Sequence, residues 1–211
     1  MKNLLIIGTG GFAREVYFHA HNSLGYGTKF LVKGFLEGNT PLKQGQYDLL
    51  PKAVLNNVLD YAVVQDDVFV IAIANSTVKE EIAKIIGSKG GKFINLIHNT
   101  AVVSPNAELG IGVILCPFVF ISCDTCVGDH VMFNVFSDLG HDSIVGDYTS
   151  VMCHVDITGN CKVEDHTFWG SGARALPGSK IGNYAKIGAG SVVLKKVHAG
   201  ETVFGVPAMP I

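Results

Sequence analysis

Between Ile97 and Val193 apolar side chains recur at every sixth position without a break. The series runs Val103, Leu109, Leu115, Ile121, Val127, Phe133, Leu139, Val145, Val151, Ile157, Val163, Trp169, Ala175, Ile181, Ile187 and Val193, and only Ala175 is not bulky. A second series, from Ala101 through Val113, Thr125, Ser137, Thr149, Cys161 and Ala173 to Ser191, holds small or β-branched side chains. A period of six fits neither an amphipathic helix nor a two-faced strand. It predicts a β-helix of hexapeptide repeats, three hexads to a triangular coil. Each flat side then sends one large and one small side chain inward.

Successive coils lie about 4.8 Å apart with their backbones paired, so residues eighteen apart form columns. Trp169, the largest member of its series, is followed by Ala175, the smallest. That exchange keeps the layer at ordinary packing density.

The pattern before Ile97 is different. Leu4-Leu5-Ile6-Ile7 is a continuous apolar run, followed at once by Gly8-Thr9-Gly10-Gly11-Phe12-Ala13 and a segment that can be helical to about Asn22. Strand, glycine turn and helix in that order can bring a phosphate to unpaired N–H groups, although the Gly8-x-Gly10-x-x-Ala13 match is weak alone. A tight turn without a ligand explains it as well. A second strand over 30–36 ends at Glu37, placed to meet a ribose or base or simply to be a solvated loop carboxylate. Gly38-Asn39-Thr40-Pro41 then breaks the chain, and 42–67 reads as loop with a short helix over 49–58. Residues 68–74 form a buried strand. Asn75-Ser76 caps a helix with Val78, Ile82, Ile85 and Ile86 inward and Lys79, Glu80, Glu81 and Lys84 on its solvated face. The expected architecture is therefore a small Rossmann-like α/β domain over 1–96 and a hexapeptide β-helix with a C-terminal tail over 97–211. Gly10, Glu37 and Ala74 converge at the carboxyl ends of the first domain's strands.

The chain has 211 residues, 48% of them hydrophobic, and a formal net charge of −2. No basic excess points to nucleic acid, and no apolar run is long enough to span a membrane. The N-terminus lacks a signal-peptide pattern, so a cytoplasmic setting is expected. The cysteines, Cys116, Cys123, Cys126, Cys153 and Cys161, all fall in the repeat and read as free thiols; Cys123-x-x-Cys126 has no second pair to complete a zinc site.

His141-Asp142 is the leading candidate for chemistry. Leu139 points inward, so the pair lies outside, with Cys123 one coil below and Gly159 one coil above. A histidine titrates near neutrality and can accept a proton, and a carboxylate beside it can fix its tautomer; a solvated surface pair is the alternative. Cys123 offers an acyl-cysteine route with His141 as activating base, against a plain outward thiol. His130, His154 and His166 share one outward hexad position and read as surface residues. Their spacing does not match the three-histidine zinc site of γ-class carbonic anhydrases, and no metal is expected. His19 and His21 are expected on the exposed side of the first helix.

Taken together, several motifs resemble the bacterial nucleotide-sugar acetyltransferases grouped with sialic acid O-acetyltransferases. They are the turn Gly8 to Glu15, Asn95-Leu96-Ile97-His98, Ser104-Pro105-Asn106-Ala107, His141-Asp142 before Ile144-Val145-Gly146-Asp147, Gly159-Asn160, and Gly205-Val206-Pro207-Ala208. The resemblance covers essentially the whole chain. It implies a left-handed β-helix, a homotrimer with active sites between subunits, and acetyl-CoA as donor. The implied acceptor is a UDP- or dTDP-linked 4-amino-4,6-dideoxy sugar destined for polysaccharide biosynthesis. By the same resemblance His141 is the general base and Asp142 orients it. Gly10, Gly11, Phe12, Glu37, Gly38 and Ala74 contact the nucleotide sugar, and Ser150, Gly159, Ser171 and Ala189 contact acetyl-CoA. Phe12, Gly38, Ser150 and Met209 depart from residues frequent in that family, namely histidine, an acidic residue, histidine, and Lys or Arg. An O-acetyltransferase acting on a sialic acid or related sugar, and a non-catalytic trimeric nucleotide-sugar-binding protein, are the competing readings.

Overall fold

The structure, a computed structural model, describes residues 1–38 and 47–211. The breaker Asn39-Thr40-Pro41 lies outside the described residues. The chain forms two compact units, 1–99 and 100–211.

The first unit is a five-stranded parallel sheet of order β3-β2-β1-β4-β5, formed by β1 (Lys2–Ile7), β2 (Phe30–Glu37), β3 (Val54–Asn57), β4 (Asp67–Ile71) and β5 (Lys92–Phe93). Helix α1 spans Gly11–Ala20 and α2 Ser76–Ser88. β1 and β4 are continuous apolar runs because both faces are covered, as parallel sheets require. The expected helix over 49–58 is instead a 3-10 turn at Tyr47–Leu49 followed by β3. Sheet pairing with β2 overrides a segment of little intrinsic pattern. Asn75 caps α2, its side chain accepting the Val78 N–H, and Glu80–Lys84 pair on its outer face at 2.7 Å. Lys79, expected on that face, is fully buried, and burial lowers its amine to about 7. His19 also departs from expectation: it is half-buried, with its ring 6.0 Å from that of His98. Burial lowers its pKa, and His98 adds to the effect.

The second unit is the coil. Its three faces carry two-residue strands, each paired in parallel with a strand eighteen residues away, as in Ile121↔Leu139, Val127↔Val145 and Phe133↔Val151. The large series is buried from Leu115 to Val193 and the small series from Val113 to Ser191; Trp169 and Ala175 are both at zero exposure. The period shortens at the end. Lys180 pairs with Lys196 and Ile187 with Val203, sixteen residues apart, so Val197 and Val203 fill the last inward sites. An antiparallel strand, Met209–Pro210, then lies against Thr202–Phe204.

Every corner from Gly112 to Gly190 places one residue in the left-handed region, at six-residue intervals. Four are glycines, and the others include Phe118, Asp124, His130, Phe136, Asp142, Tyr148, His154, Asn160, His166 and Tyr184, at φ between 55° and 60°. That region costs a non-glycine residue about 1 kcal/mol or more. Stacking of rings in the columns offsets the cost. Phe118 stacks on Phe136 at 4.9 Å and Phe136 on His154 at 5.1 Å; at another corner His130, Tyr148, His166 and Tyr184 stack at 4.4–5.4 Å. His130 is accordingly buried, not a surface residue, and it occupies a different corner from His154.

A ladder of acceptors ties the coils at a third set of sites. Asp129, Asp147, Asp165 and Asn183 each accept, through Oδ1, a backbone N–H from the residue eighteen earlier, at 2.7–3.0 Å. A glycine precedes three of the four donors, Ile111, Asp129 and Asp147, and is required there. A Cβ on Gly128 would lie 2.3 Å from Asp147 Oδ1, and one on Gly146 equally close to Asp165 Oδ1. Asp147→Ala removes the acceptor of the Asp129 N–H, and the expected cost is about 1–2 kcal/mol of unfolding free energy. Urea denaturation checks this; an unchanged midpoint would show that the ladder contributes nothing.

Candidate active site

The corner at 140–143 is built so that two side chains leave it together. Leu139 and Ser143 point into the prism and anchor the turn at both ends. Ser143 Oγ donates to the Thr158 carbonyl at 2.9 Å and accepts the Cys161 N–H at 2.9 Å. The coils on either side hold the backbone between them, with Asp142 N donating to the Cys123 carbonyl and Asn160 N to the His141 carbonyl. Asp142 takes the left-handed corner position, which a short polar side chain tolerates better than a bulky one.

His141 Nδ1 lies 2.7 Å from Asp142 Oδ2, and both side chains are more than half exposed. With the carboxylate facing Nδ1, the proton of the neutral ring belongs on Nδ1, and Nε2 is left as an outward base. The Gly159 backbone lies against the ring: a Cβ there would be 2.7 Å from Nε2. The eighteen-residue step already places Gly159 in the coil above His141. Cys123 is an exposed free thiol in the coil below, as are all five cysteines free.

The structure groups the remaining expected residues in three places. Gly10, Gly11, Phe12, Glu37, Gly38 and Ala74 sit at the carboxyl ends of β1, β2 and β4 in the first unit. Gly8 at φ 120° is structural there, since a Cβ would lie 2.8 Å from the Ala72 carbonyl oxygen, whereas nothing comes within 4 Å of a Cβ on Gly10. Ser171 and Ala189 are exposed in neighbouring coils, at a corner different from that of His141 and Gly159. The two corners bound one flat face, which carries Asp138, Asp156 and Arg174. Ser150 is fully buried on another face. Among the described residues no group of three or more His, Cys, Asp or Glu could hold a metal ion, and no helix is long and apolar enough to cross a membrane.

Sequence reading missed Asp138, whose column partner is Asp156 in the next coil. Burial and the Asp156 carboxylate push the Asp138 carboxyl up to about 6, against the pull of Arg174. Stepping by eighteen from Asp138 to Asp156 to Arg174 would have revealed the column.

Residues 3–86 match the family described as the PglD N-terminal domain, and residues 160–195 match the bacterial transferase hexapeptide family. The chain is 37% identical over 149 residues to GDP-perosamine N-acetyltransferase of Escherichia coli O157:H7, covering 66% of this chain and 66% of that relative's length. It superposes over its whole length, with a TM-score of 0.87 and 25% identity, on the acetyltransferase domain of PglB from Neisseria gonorrhoeae in complex with acetyl coenzyme A, covering 99% of that chain. PerB from Caulobacter crescentus, in complex with CoA and GDP-perosamine, gives a TM-score of 0.88 at 27% identity over all of this chain and 98% of the other. The architecture is thus that of the left-handed β-helix acetyltransferases, with a parallel-sheet domain before the coil.

Two outcomes test the geometry. Gly159→Ala is expected to displace the imidazole, seen as a changed His141 ring resonance with the coil still folded; an unmoved resonance would show that the glycine does not seat the ring. Asp138→Asn should alter the pH dependence of stability. A carboxyl raised in the folded state favours folding below its unfolded pKa, and that contribution fades as pH rises through about 6. The variant should therefore gain in melting temperature relative to wild type between pH 4 and pH 7, and parallel curves across that range would refute the pairing.

Proposed function

We propose that this chain, with its PglD-type N-terminal domain and transferase hexapeptides, is an acetyl-CoA-dependent N-acetyltransferase. Its acceptor is the 4-amino group of a nucleotide-linked 4-amino-4,6-dideoxy sugar. The observation that carries the reading is the exposed His141–Asp142 pair at 2.7 Å, seated on the Gly159 backbone. The relatives named for GDP-perosamine favour GDP as the nucleotide over the UDP or dTDP implied by the sequence resemblance.

His141 Nε2 accepts the proton that the sugar amine loses as its nitrogen bonds to the acetyl carbonyl carbon. Asp142 holds Nδ1–H and stabilises the imidazolium. A backbone N–H at Gly159 serves the carbonyl oxygen as negative charge develops there. Coenzyme A supplies the acetyl group as a thioester, and its sulfur leaves as the amide forms, taking the proton back from His141. Ser171 and Ala189, beside the open glycine corners Gly172 and Gly190, leave room for a thin ligand along the coil. The first unit holds the nucleotide at Gly10, Gly11, Phe12, Glu37, Gly38 and Ala74. Ser150 is fully buried, which argues against direct contact with the donor in this arrangement.

A homotrimer completes the site. The coil exposes Phe118 and Phe136 by about half, with Val102, Phe120 and Ile144 also exposed, and such apolar area calls for a partner surface. The reaction belongs to polysaccharide biosynthesis in the cytoplasm. The O-acetylation of a sialic acid or related sugar would use the same base on a hydroxyl.

Acetyl-CoA consumption with GDP-, UDP- and dTDP-linked amino sugars, and with their hydroxyl counterparts, tests these readings together. Turnover with an amino sugar only is expected; no turnover with any would leave a binding protein. His141→Ala should lower kcat by roughly 10²–10⁴-fold, and Asp142→Asn by about tenfold or more. Cys123→Ser should retain full activity. Loss of activity in that variant would favour an acyl-cysteine route.

A further inference from the structure

The face that carries Glu108, Cys126 and Ile144 in the lower coils changes character above them. Lys162, Lys180 and Lys196 follow in the same outward column, directly paired as Lys162↔Lys180 and Lys180↔Lys196. Lys196 reaches the column only because the last coil is two residues short; an eighteen-residue step from Lys180 would have placed His198 there. All three are exposed, and none makes an ion pair among the described residues. Like charges directly opposite one another on neighbouring strands are unfavourable, and here the arrangement repeats across three coils of a chain whose net charge is −2.

The column also lines a groove of about 370 Å³, with Glu164 and His198 in the same lining. Glu164 already accepts the Asn183 N–H at 2.9 Å through Oε2. The groove therefore carries three lysines on paired strands, their backbones about one strand spacing, roughly 4.8 Å, apart.

We propose that Lys162, Lys180 and Lys196 form a binding site for a small anion carrying several phosphoryl groups. Two sources share that chemistry. One is the phosphate-bearing end of coenzyme A, a choice that rests on the function proposed above; the other is a free phosphorylated ligand, which does not. A ladder of ammonium groups suits either, since each can donate to a separate phosphoryl oxygen. The volume suits a small molecule better than a polymer.

Inorganic triphosphate is the probe, titrated calorimetrically into the full-length chain. Binding to wild type is expected to weaken as salt rises, and to fall about tenfold for each lysine lost in Lys162→Gln and Lys180→Gln. Lys180→Arg should retain it, and Lys92→Gln, on the first unit, should not change it. Without anion, the glutamine variants should melt no lower than wild type, since like charges have been removed; a purely structural role would lower the melting temperature. Competition by coenzyme A but not by dephospho-coenzyme A identifies the 3′-phosphate end as the source. Binding without such competition identifies a free phosphorylated ligand, and it keeps the site even if no acetyl transfer is found. No triphosphate binding, or equal binding by the double glutamine variant, overturns the proposal.

Discussion

The coil depends on backbone pairing between residues eighteen apart, closed by one left-handed corner in every hexad. Neither half works alone. Parallel strands of two residues are too short to hold themselves, and a corner conformation that bulky residues avoid needs a reason to persist. Repetition supplies both, because each interior strand is paired on two sides and corner rings stack in columns, as Phe118, Phe136 and His154 do. Stacked rings, the aspartate ladder and the inward serines and threonines are three versions of one device: a side chain in one coil satisfies or covers a group in the next.

The same constraint places the chemistry. A corner must turn outward, so it is where a histidine can be exposed and still be rigid. Asp142 meets the conformational demand of that corner and, through the same geometry, turns its carboxylate to Nδ1 of His141. Gly159 is bare because the ring below occupies the space of a Cβ. The proton transfer proposed for this pair would make the same demand on these positions as the fold does.

Much of this was legible before any coordinates. The six-residue period identifies the coil, its inward series and the outward setting of His141 and Asp142, because burial in a prism has few solutions. What stayed hidden concerns relations between coils and departures from the period. The corner rings look like isolated surface residues by their spacing, whereas stacking in columns buries His130. Lys79 fits a solvated helix face by spacing, yet packing buries it. The strand over Val54–Asn57 has little pattern of its own and exists because an open sheet edge lies beside it. The shortened last coil is visible only through its pairing.

The strand at Met209–Pro210 lies antiparallel to Thr202–Phe204, at the end of a stack in which every other neighbour is parallel. A pile of identical rungs is in principle endless, and its last rung is a template on which another molecule could continue. Reversing direction there, with a proline that has no N–H to offer, gives that side of the tower a roof that a further rung cannot copy. Removing the final residues would thus be felt first as a tendency of separate towers to join end to end into filaments.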